Sequence, residues 1–160
     1  MLNALKKSNK KKSEQGFTII EVMIVLAIAG LILLIVFLAI PALQRSSRNT
    51  QRKADVGRVG SAATTIVSNG NGDMNTLTRA AVVKEVSNPS YYDFSVASNL
   101  LVNVQSSGSS TQPAVTSKDV VDVEGNAKCS GTTAVYAARQ IAILYAVESG
   151  TGTTSICIDQ

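Results

Sequence analysis

The sequence predicts an α+β fold: one long N-terminal α-helix, membrane-spanning in its first half, packed on a small antiparallel β-sheet head. Three observations predict it. Val22 to Ala42 is a run of 21 residues without a charge. Val56, Val59, Ala63, Ile66 and Val67 then recur at steps of three and four before Asn69-Gly70-Asn71-Gly72. In the last third, Val135, Ile141, Ile143, Tyr145 and Val147 all fall on odd positions, as on one face of a strand.

The apolar run comes first. Roughly 20 helical residues at about 1.5 Å each cross the hydrocarbon core of a bilayer. A buried helix of a soluble protein competes poorly, because nearly every face is apolar over too long a run. A secretory signal competes poorly too: 21 residues exceed the usual ~7–15 of its apolar region, and Ala39 and Ala42, with Pro41 between them, make a weak cleavage site. A plain uncleaved anchor is the stronger rival. Pro41 lacks an N–H and is expected to break the helix around it.

Charge is divided along the chain. The formal net charge of the 160 residues is +4. Five of the 15 basic residues, Lys6, Lys7, Lys10, Lys11 and Lys12, and one of the 11 acidic residues, Glu14, precede Phe17, which leaves ten of each sign after it. The basic character therefore belongs to the N-terminal segment and does not mark a nucleic-acid-binding domain. Five more basic residues, Arg45, Arg48, Arg52, Lys53 and Arg58, follow the apolar run. With five on each side, counting positive charges does not orient the span. This second cluster admits three readings: a solvated face, contact with lipid phosphates, or pairing with acidic patches of adjacent heads.

The helix is expected from Phe17 to about Ser68, with residues 44–68 amphipathic and Gly and Asn ending it through left-handed backbone angles. Gly57 and Gly60 each cost about 1 kcal/mol against Ala. In the head, Asn75 to Val86 is expected to be a short helix stopped by Asn88-Pro89. Tyr91, Tyr92 and Phe94 are expected in the core, and Ser106 to Pro113 as an exposed loop. Val120, Val121 and Val123 predict a strand before a turn at Glu124-Gly125-Asn126. Ala134 to Val147 suits a helix by alanine content and a strand by alternation. The strand is chosen because Ser149 to Thr153 then turns into a last strand, Thr154–Asp159.

No His is present, so no His-based dyad or triad exists, and no Gly-rich phosphate loop is visible. Two cysteines without His make a poor zinc set. No enzyme, cofactor or metal site is expected.

The stretch Gly16-Phe17-Thr18-Ile19-Ile20-Glu21-Val22-Met23-Ile24-Val25 closely resembles the processing site of type IV prepilins and related pseudopilins, the class III signal peptide. Such chains carry a short basic leader ending in Gly, a first mature residue that is usually Phe, and a Glu at the fifth mature position within an apolar helix. The resemblance is strong over about residues 6–60 and holds only in outline for the head. It implies cleavage between Gly16 and Phe17 by a prepilin peptidase, N-methylation of Phe17, and retention of the apolar helix. It implies a cytoplasmic leader and an exported head. A charge in mid-span costs roughly 3 kcal/mol, less near the edge. By the resemblance, Glu21 is relieved by pairing with a Phe17 amine, its own four residues away or that of a neighbouring subunit. An acid complementing the helix dipole is the plainer alternative. Gly30 stands where the family commonly has Gly, whereas Pro41 lies about one turn later than the family's usual proline.

The C-terminal region also resembles the disulfide-bounded end of many pilins. Pairing Cys129 with Cys157 would close a loop of 29 residues, worth roughly 3–4 kcal/mol in the loop-entropy model. The expected organisation is a cleaved leader over 1–16, a membrane or filament-core half-helix over 17–43, an amphipathic half-helix over 44–68 and a β-rich head over 69–160. The implied product is a homopolymer of pilin subunits, a pilus-like surface filament. It would be made with a prepilin peptidase, an assembly platform and a cytoplasmic ATPase, from a precursor held in the lipid bilayer. A pseudopilin of a secretion or DNA-uptake machine, or a non-polymerising anchored binding domain, are the alternatives. DNA or surface ligands gain no support from interleaved aromatics.

Overall fold

The computed structural model describes residues 16–86, 89–109 and 111–160. Residues 1–15 of the basic leader and Asn88 lie outside the described residues. The chain forms two compact units, Met1–Pro41 and Ala42–Gln160. Helix α1, Ile19–Asn69, supplies the described helical residues of the first unit and opens the second.

Among the described residues of the first unit, the apolar side chains are uncovered. Phe17 is 85% exposed, and the side chains from Ile19 to Ile40 remain open to the surroundings. The helix starts two residues later than expected, at Ile19, because Thr18 serves as its cap. Pro41 does not end the helix: α1 is helical through this residue. Proline removes one donor and crowds the preceding turn, which costs energy without obliging the remaining hydrogen bonds to end.

The second unit is a helix-on-sheet layer. Its sheet holds β1 (Leu100–Val104), β2 (Val121–Ser130), β3 (Thr133–Glu148) and β4 (Thr153–Asp159), in that spatial order. β2, β3 and β4 pair antiparallel, but β1 pairs parallel to β2, so the sheet is mixed where an antiparallel one was expected. The 16 residues between β1 and β2 permit this, since a parallel pair needs a long return connection. The stripe Val56, Val59, Ala63 and Val67 is buried against Val121, Val123, Ile141, Ile143 and Tyr145 in one core, with Tyr92 and Phe94 added.

A second apolar layer lies on the other side of the sheet: Val115, Ala127, Ala134, Ala142, Leu144 and Ala146. Ile141 through Ala146 are consequently all buried. The odd-position alternation seen in the sequence marks only the face toward α1.

The local chemistry explains the other boundaries. Asn71 and Gly72 adopt φ of 60° and 83°, and the Gly72 N–H donates to the Val67 carbonyl at 2.8 Å, which closes α1. The single helix expected over 75–86 is divided into a 3-10 turn, Met74–Thr76, and α2, Arg79–Glu85. Thr78 causes the division: its hydroxyl accepts from the Ala81 N–H at 3.3 Å as an N-cap. The turn expected at Glu124-Gly125-Asn126 is instead an irregularity within a continuous β2. Asn126 has φ 55° there, and its side-chain oxygen accepts from the Arg139 N–H across the bulge at 3.1 Å.

Candidate functional site

The processing motif sits at the first turn of α1. Gly16 and Phe17 precede the helix in exposed, non-helical backbone. The Glu21 N–H donates to Thr18 Oγ1 at 3.3 Å, and the Thr18 N–H and hydroxyl both lie 3.5 Å from Glu21 Oε2. This is a capping box, with Thr18 at the cap and Glu21 three residues on. The long distances make it loose. Sequence reasoning noted the acid and the dipole but missed the Thr-x-x-Glu spacing that announces the box. Capping gives Glu21 a local role at the helix start and holds its carboxylate beside the amide that follows Phe17.

Beyond this turn the surface is apolar on every side. Ile20, Val22, Met23, Ile24, Val25 and Leu26 are among the exposed residues. The window of highest hydropathy in α1 is wholly unburied, and the helix is long and apolar enough to cross a membrane. An exposed apolar area of this extent marks a surface for lipid or for other chains. Gly30 has open space around it, so a side chain there would meet nothing within the chain.

The basic cluster divides. Arg48 grips Glu148 in bidentate fashion, with Nε to Oε1 at 2.9 Å and Nη2 to Oε2 at 2.6 Å. Arg52 is wholly buried and donates to Glu148 Oε1 at 2.7 Å and to the Tyr91 hydroxyl, while its guanidinium lies 4.1 Å from the Tyr91 ring centre. Asn49 adds two bonds of 2.8 Å to the Glu148 backbone, one to each of its N–H and C=O. The Arg48 and then the Arg52 hydrogen bonds hold the Glu148 carboxyl down to about 2. One turn on, buried Asp55 accepts from the N–H groups of Ser90, Tyr91 and Tyr92 at 2.7–3.2 Å and from Arg58 at 3.2 Å.

Arg48, Arg52 and Asp55 thus lock the amphipathic part of α1 to the head. None of the three sequence readings anticipated this internal role. The signal was present: Arg52 stands four residues before Val56, in line with the buried stripe.

Cys129 and Cys157 form the disulfide implied by the resemblance, with Cα atoms 5.6 Å apart. It ties β2 to β4 across β3, and the Cys129 N–H also donates to Asp159 Oδ1 at 2.6 Å. Among the described residues no group of three or more His, Cys, Asp or Glu side chains is placed to hold a metal ion.

Residues 11–37 match the family described as the prokaryotic N-terminal methylation motif. No curated protein and no solved structure matches the chain. Running into the exposed apolar part of α1, and in a chain whose head carries a β2-to-β4 disulfide, this match supports a type IV pilin-like protein.

Proposed function

We propose that the chain is a structural subunit of a type IV pilus-like surface filament. It is inserted as a prepilin with its leader in the cytoplasm and its head exported. A prepilin peptidase cuts between Gly16 and Phe17, and the new Phe17 amine is methylated. An assembly platform and a cytoplasmic ATPase then polymerise the subunit through its N-terminal helix. The observation that carries this reading is the unburied apolar helix after Phe17, bearing a single acid in its first turn. Lipid tails are as apolar as Leu or Ile, so passage of these side chains from lipid into a packed helical core gains no hydrophobic energy and is favoured by close van der Waals packing between helices. Glu21 supplies the register. Its charge is costly in lipid and is satisfied when a neighbour's Phe17 amine stands opposite.

The test is intact mass and N-terminal sequencing of the protein taken from its native membrane and from a sheared surface fraction. A chain beginning at methylated Phe17 in the sheared fraction is the expected result. A chain still beginning at Met1 would overturn the reading in favour of an uncleaved anchored domain.

A further inference from the structure

The basic cluster after the apolar run is only partly taken up inside the head. Arg48 and Arg52 are held by Glu148, and Arg58 meets Asp55. Arg45 goes elsewhere: its Nη1 donates to the Gly150 carbonyl, in the turn between β3 and β4, at 3.2 Å. Arg45 thereby lines a polar groove of about 480 Å³ with Thr116, Ser117, Lys118, Gly150 and Thr153. The Thr153 hydroxyl donates to the Thr116 carbonyl at 3.0 Å, which ties the loop carrying Lys118 to the same turn. Gly150 and Gly152 have open space where a side chain would stand, so the turn offers bare backbone to whatever approaches it.

This end of the head is positive. The described carboxylates lining the groove are Glu148 and Asp119. Glu148 is neutralised by Arg48 and Arg52, and Asp119 Oδ1 accepts from the Tyr91 hydroxyl at 3.3 Å. Arg45, Arg48, Arg52 and the exposed Lys118 therefore outnumber the two acids. The position of the groove says what meets this charge. Arg45 is the first charged residue after the run Val22 to Ala42 and lies three residues beyond its end. Along a continuous helix that is about 4.5 Å of rise, and the headgroup layer outside the hydrocarbon core is about 5–7 Å deep on each side. With the apolar part of α1 across a bilayer, Arg45 and the turn bonded to it stand at the level of the lipid phosphates. Anionic lipids attract basic side chains at that level, and guanidinium and ammonium groups both donate to phosphate oxygens.

We propose that Arg45 and Lys118 dock this end of the head on the phosphates of anionic lipids while α1 lies in the bilayer. The docking rests on α1 spanning the membrane and needs neither cleavage nor polymerisation, so it stands or falls apart from the filament.

The experiment places the full chain in vesicles of phosphatidylcholine alone, and of equal parts phosphatidylcholine and phosphatidylglycerol, at about 0.15 M salt. Flotation reports insertion, and a membrane-impermeant amine reagent with mass spectrometry reports the labelling of each lysine. Lys53, eight residues beyond Arg45 and about 12 Å farther along α1, is the internal reference. Labelling of Lys118 relative to Lys53 is expected to fall about fivefold with phosphatidylglycerol and to recover at about 1 M salt. Arg45→Gln should remove most of that protection. Equal relative labelling in the two vesicles overturns the docking. So does protection that Arg45→Gln leaves intact, or that inorganic phosphate reproduces in phosphatidylcholine alone. A chain that floats with neither vesicle has no span, which overturns the docking together with the anchor. Protection of Lys118 in a chain still beginning at Met1 upholds the docking and removes only the filament. The wild-type comparison decides the matter even where Arg45→Gln does not fold.

Discussion

The two parts of α1 have the same backbone and opposite surroundings. Residues 19–40 leave an apolar surface uncovered and carry one acid, Glu21. Residues 42–69 bury a narrow stripe together with Arg52 and Asp55, whose charges are satisfied within the head. In the first part the hydrophobic requirement is met by something outside the chain. In the second it is met inside, and the charges fix how the helix seats. Helix propensity is therefore common to both, and the difference in role comes from what each side chain has available to touch.

The largest separation of the two should come from Glu21→Gln. Filament assembly is expected to be lost, as judged by the sheared fraction and electron microscopy, with the Tm of the head unchanged. A parallel fall in Tm would show that the carboxylate mainly holds the fold. Asp55→Ala should do the reverse, destabilising the head by about 3 kcal/mol, because it removes the buried acceptor of the Ser90, Tyr91 and Tyr92 N–H groups, the last of them buried, and one partner of Arg58. Denaturant unfolding of the full chain in detergent measures this, and a loss under about 1 kcal/mol would remove Asp55 from the lock.

Reducing Cys129–Cys157 should cost the head about 3–4 kcal/mol and make β4 sensitive to protease. Identical melting and cleavage of the oxidised and reduced protein would show that the sheet holds β4 unaided. The smallest effect expected is on the acid limb. The Glu148 carboxyl is held at about 2, below its ordinary 4.5, so its stabilising contribution is complete above pH 4.5 and drains away as pH falls toward 2. The difference in stability between wild type and Glu148→Gln should narrow over that interval. A difference constant from pH 7 to pH 2 would mean that Glu148 does not act through its charge.

Much of the head was legible because its signals are local. The β3 alternation, the hairpin from Ser149 and the Asn-Gly end of α1 each follow from a few adjacent residues. The Thr78 cap and the continuity of β2 past Gly125 were not read. The cap requires one hydroxyl to be weighed against an otherwise helical pattern, and the bulge depends on how β3 bends opposite it. The parallel pairing of β1 was also beyond local pattern, since Leu100–Val104 would alternate identically in either direction.

The sequence by itself determined the processing motif and the apolar helix, because both depend on the order and type of consecutive residues. It also made a single disulfide possible by having two cysteines. Only the tertiary structure decided that Arg48 and Arg52 turn inward to Glu148, that Asp55 caps the Ser90–Tyr92 backbone, and that Asp122 and Glu124 meet Gln105 in a buried cluster. These groups are about 20 to 100 residues apart along the chain, apart from the two carboxylates themselves. Their energies arise from burial and short-range electrostatics, which exist only once the sheet has brought them together.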